Sequence, residues 1–156
     1  MITRLIEVLK EKKLKIATAE SCTGGLLAKK ITDISGSSEV FDMGLVSYAN
    51  RIKQDILGVP GEVLETKGAV SYETAEAMAR GIVKVADADI GVGITGIAGP
   101  TGGTPTKPVG TVFYGLYFRN EDKLLVEELH LDGNRDEVRE QTTKIVIDRV
   151  LGWLEK

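Results

Sequence analysis

The sequence predicts a three-layer α/β/α domain with a mixed sheet, and three observations carry that expectation. Short apolar runs alternate with segments of helical period, which is the pattern of helices layered on a sheet. Two late apolar runs are joined by a short polar turn, so part of the sheet is a hairpin. Aromatic residues make up only 5% of the chain, so the core is mainly aliphatic. A length of 156 residues suits one hydrophobic core, and residues 1–156 are expected to form a single domain.

The elements follow in order. Ile2, Leu5, Ile6 and Leu9 lie at i, i+3, i+4, i+7 and mark one face of a first helix. Leu14 to Glu20 reads as a strand that ends at Ser21-Cys-Thr-Gly-Gly25, and Leu26 to Asp33 reads as a helix broken by Ser35-Gly-Ser-Ser38. Val40 to Tyr48 is apolar enough for a second strand, followed by a short helix from about Asn50 to Leu57 and a turn at Pro60-Gly61. Ser71 is placed to cap a helix whose core face is Ala75, Met78, Ala79, Ile82, Val83 and Ala86. Ile90 to Ile94 is apolar throughout and belongs in the centre of the sheet. Gly110 to Phe118 and Leu124 to Leu131 make the hairpin about Asn120-Glu-Asp-Lys123, and a long helix runs from Asp136 to the end.

Composition removes several functional classes. Twenty Lys and Arg against twenty-three Asp and Glu leave a net charge of −3, too balanced for a protein that must neutralise many phosphates of a duplex. No basic, aromatic-studded stripe suits single-stranded nucleic acid. One His and one Cys cannot build a Cys/His zinc site or an internal disulfide, which fits a reducing, cytoplasmic setting. No run approaches the roughly 20 apolar residues of a membrane span. Neither a nucleic acid nor a membrane is therefore an expected partner.

Two segments could carry chemistry. Thr95 to Thr111 holds five of the eighteen Gly and three of the four Pro, a loop whose backbone can approach a ligand closely. Just before it, Gly91-Val-Gly-Ile-Thr-Gly96 matches the letters of a dinucleotide fingerprint. The glycines lie inside a strand, a proline-broken loop follows, and no acid stands at the ribose position, so that reading fails. The second segment, Ala19-Glu-Ser-Cys-Thr-Gly-Gly25, puts a hydroxyl and a thiol between a strand and a helix N-terminus, where backbone N–H groups could hold an oxyanion. An ordinary helix cap is the more common role for Ser21 or Thr23 at such a junction. Cys22 would need an imidazole, and His130 is the only one. For Ser21 a lysine is the remaining kind of base, provided it is desolvated. Lys53 stands shortly after the strand ending at Tyr48, but composition does not single it out from the other lysines.

Six motifs then carry a resemblance: Ala19-Glu-Ser-Cys-Thr-Gly-Gly25, Ser47-Tyr-Ala-Asn50, Gly68-Ala-Val-Ser71, Gly93-Ile-Thr-Gly-Ile-Ala-Gly-Pro100, Lys107-Pro-Val-Gly-Thr-Val112 and Gly133-Asn-Arg-Asp136. In that order they resemble the CinA carboxy-terminal family of nicotinamide mononucleotide deamidases, in its stand-alone form. The resemblance implies hydrolysis of the carboxamide of nicotinamide mononucleotide to nicotinate mononucleotide and ammonia, within pyridine nucleotide recycling. It implies Ser21 as nucleophile, Lys53 as general base and Tyr48 as an assistant in proton movement or positioning. No metal or organic cofactor is implied, and related domains commonly form homo-oligomers. Backbone N–H groups near Thr23 and Gly24 are expected to hold the oxyanion. Substrate contacts are expected at Thr23, Gly24, Gly25, Thr95, Gly96, Gly99, Gly102 and Arg135, with Gly103 a further candidate. Arg135 and Arg139, at i and i+4, could form a fork on phosphate, Arg135 being favoured by the family pattern. One departure is that Thr101 to Lys107 is threonine-rich where family loops are often acidic or serine-rich. The rival reading is a catalytically inactive nucleotide-binding or regulatory module of the competence/damage-inducible type.

Overall fold

The computed structural model describes residues 1–156. One sheet runs through it, built from β1 (Ile16–Glu20), β2 (Gly44–Val46), β3 (Ile90–Gly96), β4 (Thr111–Phe118) and β5 (Lys123–His130) in the order β2-β1-β3-β4-β5. β1 runs parallel to β2 and to β3, whereas β3, β4 and β5 are successively antiparallel. Parallel neighbours need crossover connections, and helices supply them. α2 (Leu26–Thr32) lies between β1 and β2, while α3 (Asn50–Asp55), α4 (Gly61–Thr66) and α5 (Tyr72–Ala86) lie between β2 and β3. α1 (Ile2–Lys12) and α6 (Arg135–Leu154) open and close the fold. The expected α/β/α layering with a mixed sheet is present.

Strand alternation sorts the two faces. Ile16, Ile90, Val92, Ile94, Val112, Tyr114 and Leu116 join α1, α2 and α6 in the larger core. The opposite face packs Ala17 and Ala19 of β1 against Met78 and Ile82 of α5, with Leu57 and Val59. On that face β3 presents Gly91 and Gly93, and β4 presents Gly115 between Phe113 and Tyr117. A Cβ at Gly91 would lie 2.2 Å from the Ala79 carbonyl oxygen, and one at Gly93 would lie 2.6 Å from the Ala75 oxygen and from the Ala79 nitrogen. The glycines that imitate a nucleotide fingerprint therefore serve helix packing, bringing α5 onto the sheet.

Two expectations need correction. The strand expected over Val40 to Tyr48 contracts to Gly44–Val46, because Ser37–Glu39 forms a 3-10 turn and β2 is an edge strand paired only with β1. Pro60-Gly61 is the start of α4 rather than a simple turn: Pro60, with φ −60°, stands at the N-cap, where its missing N–H costs nothing. Elsewhere boundaries agree closely, and Ser71 caps α5 by accepting from the Thr74 N–H at 3.2 Å.

Gly93→Ala should lose more than about 2 kcal/mol of folding stability, since the added methyl meets helix backbone rather than a movable side chain. Urea unfolding measures this; stability within about 0.5 kcal/mol of wild type would show that α5 does not pack as described.

Candidate active site

β1 is the strand at which the chain reverses direction across the sheet: it first proceeds to β2 on one side, then crosses to β3 on the other. Crevices outside the carboxyl ends of strands at such a switch point are where open α/β sheets place ligands. A cavity of ≈ 320 Å³ lies at this point. Ser21 follows β1 directly, and its N–H donates to the Ile94 carbonyl of β3 at 2.9 Å, which continues the sheet by one residue and fixes the serine.

The turn after Ser21 is shaped by a residue that sequence reasoning passed over. Glu20 is only 1% exposed. One of its carboxylate oxygens accepts from the Thr23 hydroxyl at 2.6 Å and the Leu27 N–H at 2.9 Å, and the other accepts from the Ala28 N–H at 3.0 Å. The carboxylate thus caps α2 from the preceding strand, at the end where a negative charge is favoured. Its signal in the sequence is an acid at the end of a buried strand with no other charged residue. Gly24 and Gly25, at φ +61° and +100°, allow the turn to close.

That turn, where substrate contacts were expected, stands outside the cavity wall. The Thr23 hydroxyl faces Glu20, and neither Thr23, Gly24 nor Gly25 lines the cavity. The Gly24 N–H, expected beside the oxyanion, donates instead to the Ser21 carbonyl at 3.0 Å. The N–H groups of Cys22 and Thr23 have no acceptor outside their own residues. They are the donors left beside Ser21.

Lys53, on α3, is the residue composition could not choose, and the structure brings it to Ser21. Its Nζ is 3.0 Å from Ser21 Oγ, 2.7 Å from the Ser47 carbonyl oxygen and 3.4 Å from that of Tyr48. The residue is 1% exposed and forms no ion pair with a carboxylate. Burial therefore holds its pKa below the ordinary lysine value. A neutral amine has two hydrogens and one lone pair. With the hydrogens on the two carbonyls, the lone pair is left for the Ser21 hydroxyl.

Cys22 lines the same cavity but is not activated. Burial pushes its thiol up to about 12, so the thiolate is scarce near neutral pH. His130, at the far end of β5, sits 2.6 Å from Glu128 and lines no part of the cavity. The thiol–imidazole alternative has no geometry to support it.

The remaining wall comes from three segments. Tyr48 and Asn50 enter from the β2–α3 connection, and Ala69 and Val70 from the α4–α5 connection. Thr95, Gly96, Gly99 and Gly102 line the cavity together with Thr101, while Gly103 stays outside. The Thr95 hydroxyl donates to the Ala69 carbonyl at 2.6 Å. Arg135 closes the cavity from the start of α6, where Asn134 and Glu137 form a reciprocal capping box. Its guanidinium donates to the Gly99 carbonyl at 2.7 Å and to the Tyr48 hydroxyl at 3.0 Å. Arg139 does not join it on the cavity wall. Its guanidinium donates to the Thr23 carbonyl at 2.8 Å and lies where a Gly24 side chain would stand, so the pair forms no common fork.

Residues 1–154 match the CinA C-terminal domain. The chain belongs to this family. A CinA-like protein of Kosmotoga olearia is 50% identical over 146 residues, covering 94% of this chain and 35% of that protein. One from Geobacter sulfurreducens is 48% identical over 154 residues, covering 99% and 36%. The chain thus spans about a third of the length of these curated relatives. A solved competence/damage inducible protein, CihA, from Agrobacterium tumefaciens superposes with a TM-score of 0.95 at 42% identity, over 99% of this chain and 93% of that one. A CinA superfamily protein of Escherichia coli gives 0.90 at 31%, over 97% and 89%.

The buried amine makes a testable claim on stability. Between the lowered pKa of Lys53 in the fold and the ordinary lysine value, the unfolded chain binds one more proton, so stability rises with pH. Lys53→Met should abolish that contribution and be more stable than wild type near pH 7. Urea unfolding from pH 6 to 10.5 measures it; parallel profiles for the two proteins would contradict a depressed pKa.

Proposed function

We propose that this domain hydrolyses the carboxamide of nicotinamide mononucleotide, releasing ammonia and leaving nicotinate mononucleotide. The observation that carries the reading is the 3.0 Å approach of the buried Lys53 amine to Ser21 Oγ. A serine with a desolvated lysine and no third catalytic partner is an arrangement for acyl transfer. The resemblance of this chain's motifs to the nicotinamide mononucleotide deamidases suggests the identity of the acyl group.

The steps follow from the geometry. Neutral Lys53 takes the Ser21 proton as Oγ attacks the carboxamide carbon. The oxyanion is held by the free N–H groups of Cys22 and Thr23. Protonated Lys53, still held by the Ser47 carbonyl, gives its proton to the departing amino group, and ammonia leaves. Water, losing a proton to Lys53, then attacks the acyl-serine; Lys53 returns that proton to Ser21 Oγ as the ester bond breaks, which releases the product acid and restores the neutral amine. Tyr48 acts through Arg135, which its hydroxyl orients, rather than by touching the Lys53 amine with that hydroxyl.

The wall chemistry fits a nucleotide. Arg135 is the one cationic side chain of the wall beside the neutral Lys53 amine, and no Asp or Glu is among its residues. Such a lining favours an anion over a neutral amide. The partly committed guanidinium of Arg135 and the backbone of Gly96, Gly99 and Gly102 are the groups available for phosphate and ribose.

Purified protein incubated with nicotinamide mononucleotide should release ammonia. Ser21→Ala and Lys53→Met should each reduce turnover by at least about a thousandfold while leaving nucleotide binding measurable. Binding without ammonia release by wild type would favour a regulatory nucleotide-binding module, and undiminished turnover by Ser21→Ala would remove the proposed nucleophile.

A further inference from the structure

The proline-flanked lysine of the Lys107-Pro-Val-Gly-Thr-Val112 motif has no part in the chemistry above. Its Nζ donates to the carbonyl oxygens of Lys67, at 2.9 Å, and Val70. Its own backbone is pinned as well. The Lys107 N–H donates to Thr104 Oγ1 at 3.0 Å, and the Thr104 N–H returns to the Lys107 carbonyl at 2.9 Å. The side chain therefore leaves a closed turn of the β3–β4 loop and reaches across to the α4–α5 connection.

What it reaches is unusual. Four successive carbonyls, Lys67 to Val70, all accept from side chains. Lys107 holds the first and the last, Thr74 Oγ1 and Ser71 Oγ lie 2.8 and 2.9 Å from the Gly68 oxygen, and Thr95 holds that of Ala69. Ser71 and Thr74 belong to the start of α5, and Thr95 to the end of β3, so both are fixed by the core. Lys107 alone comes from the long loop. It is also the only one that carries a charge, which strengthens its bonds to carbonyls.

We propose that Lys107 is a positioning residue, an ammonium latch that fastens the β3–β4 loop to the α4–α5 connection and so sets the substrate-binding wall of the cavity. Ala69 and Val70 on one side, with Gly99, Thr101 and Gly102 on the other, are wall residues that the latch ties together. Ser21 and Lys53 are held independently, by β1, β3 and the β2–α3 connection. The latch should accordingly govern substrate affinity rather than the chemical step. Its kinetic consequence rests on the deamidase reading, whereas its structural consequence does not.

Lys107→Ala and Lys107→Arg test it, the second keeping charge in case the first folds poorly. Hydrogen exchange without substrate should show amides of residues 67–70 and 98–106 losing protection together in Lys107→Ala. With nicotinamide mononucleotide, KM should rise about tenfold or more while kcat changes less than about threefold, charge-assisted bonds of this kind being worth at least that factor. Added propylamine should restore part of the affinity, and equal propanol should not; Lys107→Arg should lie between wild type and Lys107→Ala. Unchanged protection of both segments would overturn the latch outright, as would loosening of one segment alone. Coupled loosening with wild-type KM, or a fall in kcat that no amine restores, would overturn its role in the binding wall. Absence of turnover in wild type would count against the deamidase reading alone, leaving exchange to decide the latch.

Discussion

A lysine side chain buried without a carboxylate is an expensive feature, since burial penalises its charged form and nothing of opposite sign compensates. In this fold that penalty is what makes Lys53 usable. Two carbonyls, from Ser47 and Tyr48, accept its hydrogens and leave the remaining valence directed at Ser21. The arrangement serves either protonation state, because an ammonium would simply donate to the serine as well. A proton can therefore pass between Ser21 and Lys53 with little rearrangement of the surroundings.

The fold supplies the rest by bringing backbone, rather than side chains, close together. β1 lies between β2 and β3, and the residues immediately beyond those strand ends are Ser47, Ser21 and the glycine-rich loop. Glycines at 91 and 93 let α5 settle on the sheet, which in turn fixes the connection that carries Ala69 and Val70. Glu20 gives the nucleophile turn its shape from beneath, and Arg139 ties the same turn to α6 through the Thr23 carbonyl. Arg135, one helical turn earlier, joins the loop and Tyr48 at the cavity rim.

Much of this was legible in the sequence wherever a local rule governs. Apolar periodicity gave α1, α5 and the central strand β3, and the Ser71 cap was readable as such. The edge strand β2 was overestimated because Val40 is buried outside the ladder while Met43 and Tyr48 are exposed, and apolarity alone does not distinguish a loop from a ladder. α4 was hidden because Pro and Gly at 60 and 61 mark both turns and helix starts. At the site, the scarcity of histidine directed attention to serine with lysine, but only the fold could join residues 32 positions apart. The same dependence on tertiary geometry explains why the turn of Thr23, Gly24 and Gly25 stands outside the cavity wall: Glu20, invisible as a ligand from sequence, holds that turn against α2.

The central claim is that the Lys53 amine is neutral at a pH where an ordinary lysine is charged. Carbon-13 NMR of lysine Cε resonances, with the Lys53 signal assigned by its loss in Lys53→Arg, tests this most directly. The account predicts that this resonance alone titrates well below the ordinary lysine range while the other lysines remain charged. A Lys53 resonance that stays in its charged position until the others begin to titrate would contradict it.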